Sequence, residues 1–283
     1  MNKMKTARNK KNIICSNVHY FYYDTKFFFK KMQEYGLSRI ELYLGTPHIF
    51  IDGNVIDDFA GIPQLAEEYG IEIMSVHPET ISLRYNLCNL DEQWNQKSLE
   101  AYKNCIKYAS LIRAKSVNTN ITGAFRDFDN KKIFERVAEN LKELILYGEE
   151  KGIYLTLDTE SLDEEGFISS LTQMKNLDEC IGNSKLHFGL NMGALNAANE
   201  TVAEWEKIFR NRIEYIRYTS VSDFLNTEKD HFSLRKKDYD SLLFFDEDCY
   251  LDRPFDVDCY LSKVIKNGTN KAGTDCRNEL SLL

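Results

Sequence analysis

Amphipathic helices closed by glycine alternate with short β-rich runs along most of the chain, and eight such runs can be counted. None is followed by a glycine-rich phosphate loop. Alternation of this kind over about 250 residues predicts a single parallel, eight-stranded (β/α)8 barrel. An open doubly wound sheet is the runner-up, and without a phosphate loop its dinucleotide-binding form has no support.

The elements follow in order. "NIICSN" (12–17) is the first strand, and "TKFFFKKMQEYG" (25–36) is a helix with a glycine stop. "RIELYL" (39–44) is the second strand, "VIDDFAGIPQLAEEYG" (55–70) an amphipathic helix ending on Gly70, and "IEIMSV" (71–76) the third strand. Residues 91–114 carry apolar or aromatic side chains at 94, 99, 102, 105, 106, 109 and 112, close to a helical period, before the strand "SVNTN" (116–120). The clearest unit spans 130–158. There Ile133, Val137, Leu141, Leu144 and Tyr147 form one stripe, Gly152 ends the helix, and "IYLTL" is the fifth strand. "HFGLN" (187–191), "IEYIRY" (213–218) and "FDVDCY" (255–260) complete the eight, with helix-like stretches at 165–181 and 201–211. "LSKVIK" then reads as a clipped closing helix, so the barrel is expected to be incomplete at that end. The expected organisation is a basic flexible tail (1–11), one barrel (12–266) and a polar tail (267–283).

Composition narrows the function. The chain is 43% hydrophobic and 12% aromatic, enough for a large core. A net charge of −8 argues against nucleic acid as a partner. The seven cysteines are scattered, with no CxxC pair, which fits reduced thiols in the cytoplasm. No apolar run approaches the roughly 20 residues of a membrane span, and "IIC" after the basic start is too short for a signal peptide.

Barrels of this class work at the C-terminal ends of their strands. Glu41, His48, His77, Glu79, Asp158, Asn191, Arg217 and Asp258 all fall at or just past such ends. One polar residue there is weak evidence, because polar residues commonly end strands; recurrence on six strands is stronger. Glu41, His48, His77, Glu79, Arg217 and His231 are the candidate substrate contacts. Arg217 with His231, Arg235, Lys236 and Lys237 could hold a phosphate or carboxylate; the other reading of "LRKK" is a solvated loop, and it is the preferred one for Lys236 and Lys237. Phe27, Phe28 and Phe29 in "HYFYYDTKFFF" (19–29) sit at helical positions and read as core.

"YGLSRIELYLGTPHIF" followed by "IEIMSVHPET" resembles the start of the xylose isomerase-like TIM barrels, the sugar and sugar-phosphate isomerase/epimerase group, and above all its fructoselysine 3-epimerase-like branch. "ERVAENLKELILYGEEKGIYLTLD" resembles the family's helix and strand that deliver the first metal ligand, and the similarity runs over about residues 12–260. The resemblance implies a small-molecule sugar or sugar phosphate as partner, a homo-oligomer, and one manganese-like divalent ion. That ion would be held by Glu, Asp, His and Glu on the fifth to eighth strands. It would polarise the carbonyl while two of the carboxylates transfer the proton.

Carried onto this chain, those four positions are Asp158, Asn191, Arg217 and Asp258. Asp158 and Asp258 become the acid/base pair, and Asp158, Asn191 and Asp258 the metal ligands. A shift of one or two residues would bring in Glu160 or Asp256 instead. Ser220 stands where an aspartate is common, and His231 of "HFSLRKK" keeps a later histidine. Arginine cannot ligate a cation, so a degraded metal site and no metal at all, with Arg217 in its place, are both expectations. The functional expectation is an isomerase or epimerase working by carboxylate-mediated proton transfer. Its alternative is a catalytically impaired barrel that binds a sugar-like ligand or a protein partner. An apurinic-site endonuclease of related fold is disfavoured by five histidines in an acidic chain.

Overall fold

A computed structural model describes residues 13–20, 22–58, 60–80, 84–159, 167–182, 185–218 and 242–245. Ten strands form in chain order: β1 (Ile13–Ser16), β2 (Arg39–Leu44), β3 (Phe50–Ile51), β4 (Ile56–Asp57), β5 (Glu72–Pro78), β6 (Ser116–Thr119), β7 (Tyr154–Asp158), β8 (Leu186–Asn191), β9 (Ile213–Tyr218) and β10 (Leu242–Phe245). Eight of them close a parallel barrel in the order β1-β10-β9-β8-β7-β6-β5-β2, with β1 also paired to β2. The short β3–β4 hairpin is antiparallel and separate.

The α-helices are α1 (Thr25–Glu34), α2 (Ile62–Tyr69), α3 (Glu92–Leu111), α4 (Asn130–Lys151), α5 (Leu171–Ile181), α6 (Met192–Ala198) and α7 (Val202–Phe209). Their starts are set by short polar side chains. Asp24, Asp91 and Asp129 each accept a bond from a backbone N–H of the first turn, and Ser170 with Gln173 forms a capping box on α5.

Strand alternation sorts residues between two environments. Ile40, Leu42, Leu44, Val76, Val117, Leu155, Leu157, Phe188, Leu190 and Ile216 belong to the main core. There they join the helical residues Phe28, Phe29, Met32, Ile106, Val137, Leu141, Leu144, Trp205 and Phe209. A second, small cluster of Ile14, Met74 and Tyr215 is separate from it.

Four expectations change. The eighth place in the barrel belongs to β10, not to 255–260. Both stretches are β-rich, and pairing with β1 and β9 selects the earlier one; Asp258 lies outside the described residues. Within 55–70 the helix begins only at Ile62, because residues 56–57 pair back onto β3. "MGALNAA", part of a stretch of small residues with no strand or helix expected, is α6. Trp94, placed on the apolar face of α3, is 46% exposed, with the Lys97 ammonium 4.6 Å from its ring centre. Position 94 falls in the first turn of α3, before the buried stripe begins.

Candidate functional site

The site starts from one polar position in an apolar strand. In "RIELYL", Ile40, Leu42 and Leu44 join the main core, so the alternate residue Glu41 turns to the other face of the sheet. It is 1% exposed. Its Oε2 accepts from Asn118 Nδ2 on β6 at 2.7 Å and from Ser75 Oγ on β5 at 3.2 Å. Arg217, on β9, crosses the ring to reach it. Two strands, β10 and β1, separate β9 from β2 on the shorter path, yet Arg217 Nη2 lies 3.1 Å from Glu41 Oε1 and 3.3 Å from Oε2.

The same nitrogen is 3.1 Å from Asp158 Oδ2 on β7. Tyr215 donates its phenol O–H to the other oxygen, Asp158 Oδ1. Gly189 makes this contact spatially feasible, because a Cβ there would overlap both the Tyr215 ring and Asp158 Oδ1. Asp158 and Arg217 are 3% and 5% exposed. Two carboxylates thus share one guanidinium out of contact with bulk water. Burial of such charges is tolerated only when nearly every lone pair and N–H is satisfied.

Asn191 lies beside this group, paired in register with Arg217. Its Oδ1 caps α6, accepting from Gly193 N at 2.9 Å and Ala194 N at 3.3 Å. A second polar group lines the ends of β2 and β5. There Tyr43 donates to Glu79 Oε1 at 2.9 Å, His77 stacks on Tyr43 with ring centres 6.0 Å apart, and the His77 Nδ1 proton goes to Pro78 O at 2.8 Å. His48 joins neither group. Its Nδ1 accepts from Asn17 Nδ2 at 3.0 Å and its Nε2 donates to Tyr23 O at 2.8 Å, so both ring nitrogens tie together the loops after β1 and β2. His231 and Asp258 lie outside the described residues.

Sequence reasoning missed Ser75, Asn118 and Tyr215. A signal was present for Ser75, a polar residue between Met74 and Val76 on the same face as Glu41; the strand of Asn118 reads Ser-Val-Asn-Thr, so nothing sets that residue apart from its polar neighbours. At the opposite end of β8 and β9, His187 Nδ1 is 2.5 Å from Glu214 Oε1, and Tyr154 donates to Glu214 Oε2 at 3.3 Å. That end of such barrels serves stability rather than chemistry.

A parallel eight-stranded barrel with polar side chains gathered at the C-terminal ends of several strands is the TIM-barrel architecture. Within it, the chain belongs to the xylose isomerase-like TIM barrel family, which it matches over residues 29–255. It is 32% identical over 130 residues to a fructoselysine 3-epimerase of Shigella flexneri. That stretch is 46% of this chain and 47% of the relative, so the match spans about half the relative's length. A D-psicose 3-epimerase solved in the presence of D-fructose superposes with a TM-score of 0.67 at 11% identity, covering 86% of this chain and 85% of that one. The IOLI protein, solved with a binding zinc atom, superposes with a TM-score of 0.64 at 11% identity, covering 83% and 88%. At such identities these structures share the fold.

A divalent ion of the kind the family implies does not fit the donor set described. Both Asp158 oxygens face donors of this chain, the Asn191 oxygen is occupied by a helix cap, and Arg217 is itself a cation. A divalent ion about 4 Å from a guanidinium would be repelled by about 8 kcal/mol at an effective dielectric near 20. Among the described residues, no group of three or more His, Cys, Asp or Glu side chains is placed to hold a metal. Among them, too, no helix is long and apolar enough to cross a membrane.

Proposed function

We propose that the chain binds a carbonyl sugar or sugar phosphate at the C-terminal ends of its strands. It then moves a proton at the carbon beside the carbonyl, as an isomerase or epimerase. The observation that carries this reading is the convergence of Glu41, Asp158 and Arg217 from three strands on one buried point. Asp158 takes the proton, and the Tyr215 hydroxyl fixes the orientation of its carboxylate. The guanidinium is a fixed positive charge facing the oxygen that becomes negative as the enediolate forms. It is already oriented, so little reorganisation is needed as charge develops. His77 and Glu79, at the rim, contact the sugar hydroxyls. Asp258 as second carboxylate and His231 as a further contact belong to this reading, as does assembly into a homo-oligomer.

A second reading, binding without turnover, is favoured by one observation. Asp158 is 3% exposed and held by both Arg217 and Tyr215, which leaves little room for a substrate atom to approach it. One experiment separates the two. Purified protein is incubated in deuterium oxide with ketoses, aldoses and their phosphates, and deuterium entering the carbon beside the carbonyl is followed by NMR. Turnover is expected to give exchange that Asp158→Asn lowers by at least about 100-fold, the lower range for a general base. Ligand binding by calorimetry with no exchange selects the second reading, and neither binding nor exchange rejects both.

A further inference from the structure

We infer that Arg217 is a tethered cation: its guanidinium holds the centre of the site in place of a divalent ion, with Glu41 as its principal anchor. The inference stands on geometry alone and does not depend on the sugar reading. Glu41 lies on β2, whereas the metal positions implied by the family lie on the fifth to eighth barrel strands, so it is not one of those ligands. It nevertheless makes two of the three short carboxylate contacts to Arg217 Nη2, and Asp158 makes the third.

The surroundings fit this arrangement. Ser75 and Asn118 hold Glu41 Oε2 from two further strands, fixing the carboxylate independently of the guanidinium. Ser116 Oγ donates to Asn118 Oδ1 at 2.9 Å, which fixes the amide so that its NH2 points at Glu41. Asn191, at another of the implied metal positions, spends its oxygen on the α6 cap. The cation held between the two carboxylates is therefore a covalently attached one rather than an exchangeable one.

Removing the guanidinium would leave two buried carboxylates aimed at one vacated volume. Carboxylate oxygens are hard donors suited to Mn²⁺ or Mg²⁺, and Mg²⁺ commonly keeps several waters beside one or two protein carboxylates. The arginine therefore masks a latent divalent-cation site whose ligands are Glu41 and Asp158.

The test compares the full-length wild type with Arg217→Ala and Arg217→Lys, all stripped with chelator. Each is titrated with manganese to millimolar concentration, with thermal melting and metal content as readouts. Wild type and Arg217→Lys, which both keep a tethered cation, are expected to hold no stoichiometric ion and to melt at a manganese-independent temperature. Arg217→Ala is expected to melt lower than wild type in chelator, then to rise with manganese while taking up about one ion per chain, as binding to the folded state requires. Adding Asp158→Asn should remove that rise. A stoichiometric ion in wild type, a manganese response in Arg217→Lys, or a folded Arg217→Ala that ignores manganese would each overturn the inference. Should Arg217→Ala fail to fold, Arg217→Met, which keeps much of the side-chain volume without the charge, is titrated in its place with the same expected and overturning outcomes.

Discussion

Glu41 and His48 lie seven positions apart in sequence and do different work. The carboxylate of Glu41 faces three other strands, and removing it would take away two of the three short carboxylate contacts of a buried guanidinium. His48 acts as a strut between two loops, each ring nitrogen holding one partner. Residue type told the two apart poorly; hydrogen-bond partners tell them apart at once. The same distinction governs the cysteines. Cys88 and Cys105 are buried, and burial pushes both thiols up to about 12 from an ordinary value of 9.0. Their folded values lie above the unfolded ones, so the stability they contribute is complete below pH 9 and is lost as pH rises toward 12. At pH 8 the native protein is expected to react with iodoacetamide at exposed Cys180 but not at Cys88 or Cys105 until it is unfolded. Peptide mass mapping checks this, and native alkylation of Cys105 would contradict the packing of α3.

Among the elements, α4 was the most legible from sequence, because 22 residues display the helical period six times over and both ends carry their signals. Ile133, Val137, Leu141 and Leu144 are fully buried as the stripe requires, and Gly152 closes the helix in the left-handed region at φ 71°. Short elements were not legible. The α6 helix has seven residues and the β3–β4 strands two each, too few to show a period. Gly148 adds something the period does not reveal. A Cβ there would lie 2.5 Å from the Ile153 carbonyl oxygen, where α4 returns onto β7. Alanine gains about 1 kcal/mol of helix propensity over glycine, but forcing an atom against backbone costs about 1–3 kcal/mol. The steric cost should win, so Gly148→Ala is expected to lower the urea-unfolding free energy by about 1 kcal/mol. A more stable variant would show that the helix can lift away from the strand.

For the whole molecule, closure is the property that matters. β10 pairs with β9 on one side and with β1 on the other, so among the described residues it is what joins the first strand of the barrel to the seventh. A chain ending at residue 218 would keep seven strands but expose the unpaired edges of β1 and β9, each a template for another chain. Such a truncation is expected to elute as large aggregates in size-exclusion chromatography and to lose a cooperative thermal transition. A compact, cooperatively melting product of this length would mean that β10 is dispensable. The Arg217–Glu41 pair belongs to this scale as well, since it joins residues 176 positions apart.

By itself, the sequence determined the alternation of strands and helices, the barrel class, seven of the eight barrel strands, and the polar strand ends among which the site lies. All of these are local: period, capping and glycine stops act over a few residues, and the side of a strand that a residue faces follows from counting by two. Tertiary structure alone decided which β-rich stretch closes the ring, which polar strand-end residues meet, and what Arg217 touches. Those outcomes depend on strand register and on reach across the barrel, where residues distant in sequence become neighbours only once the sheet has closed.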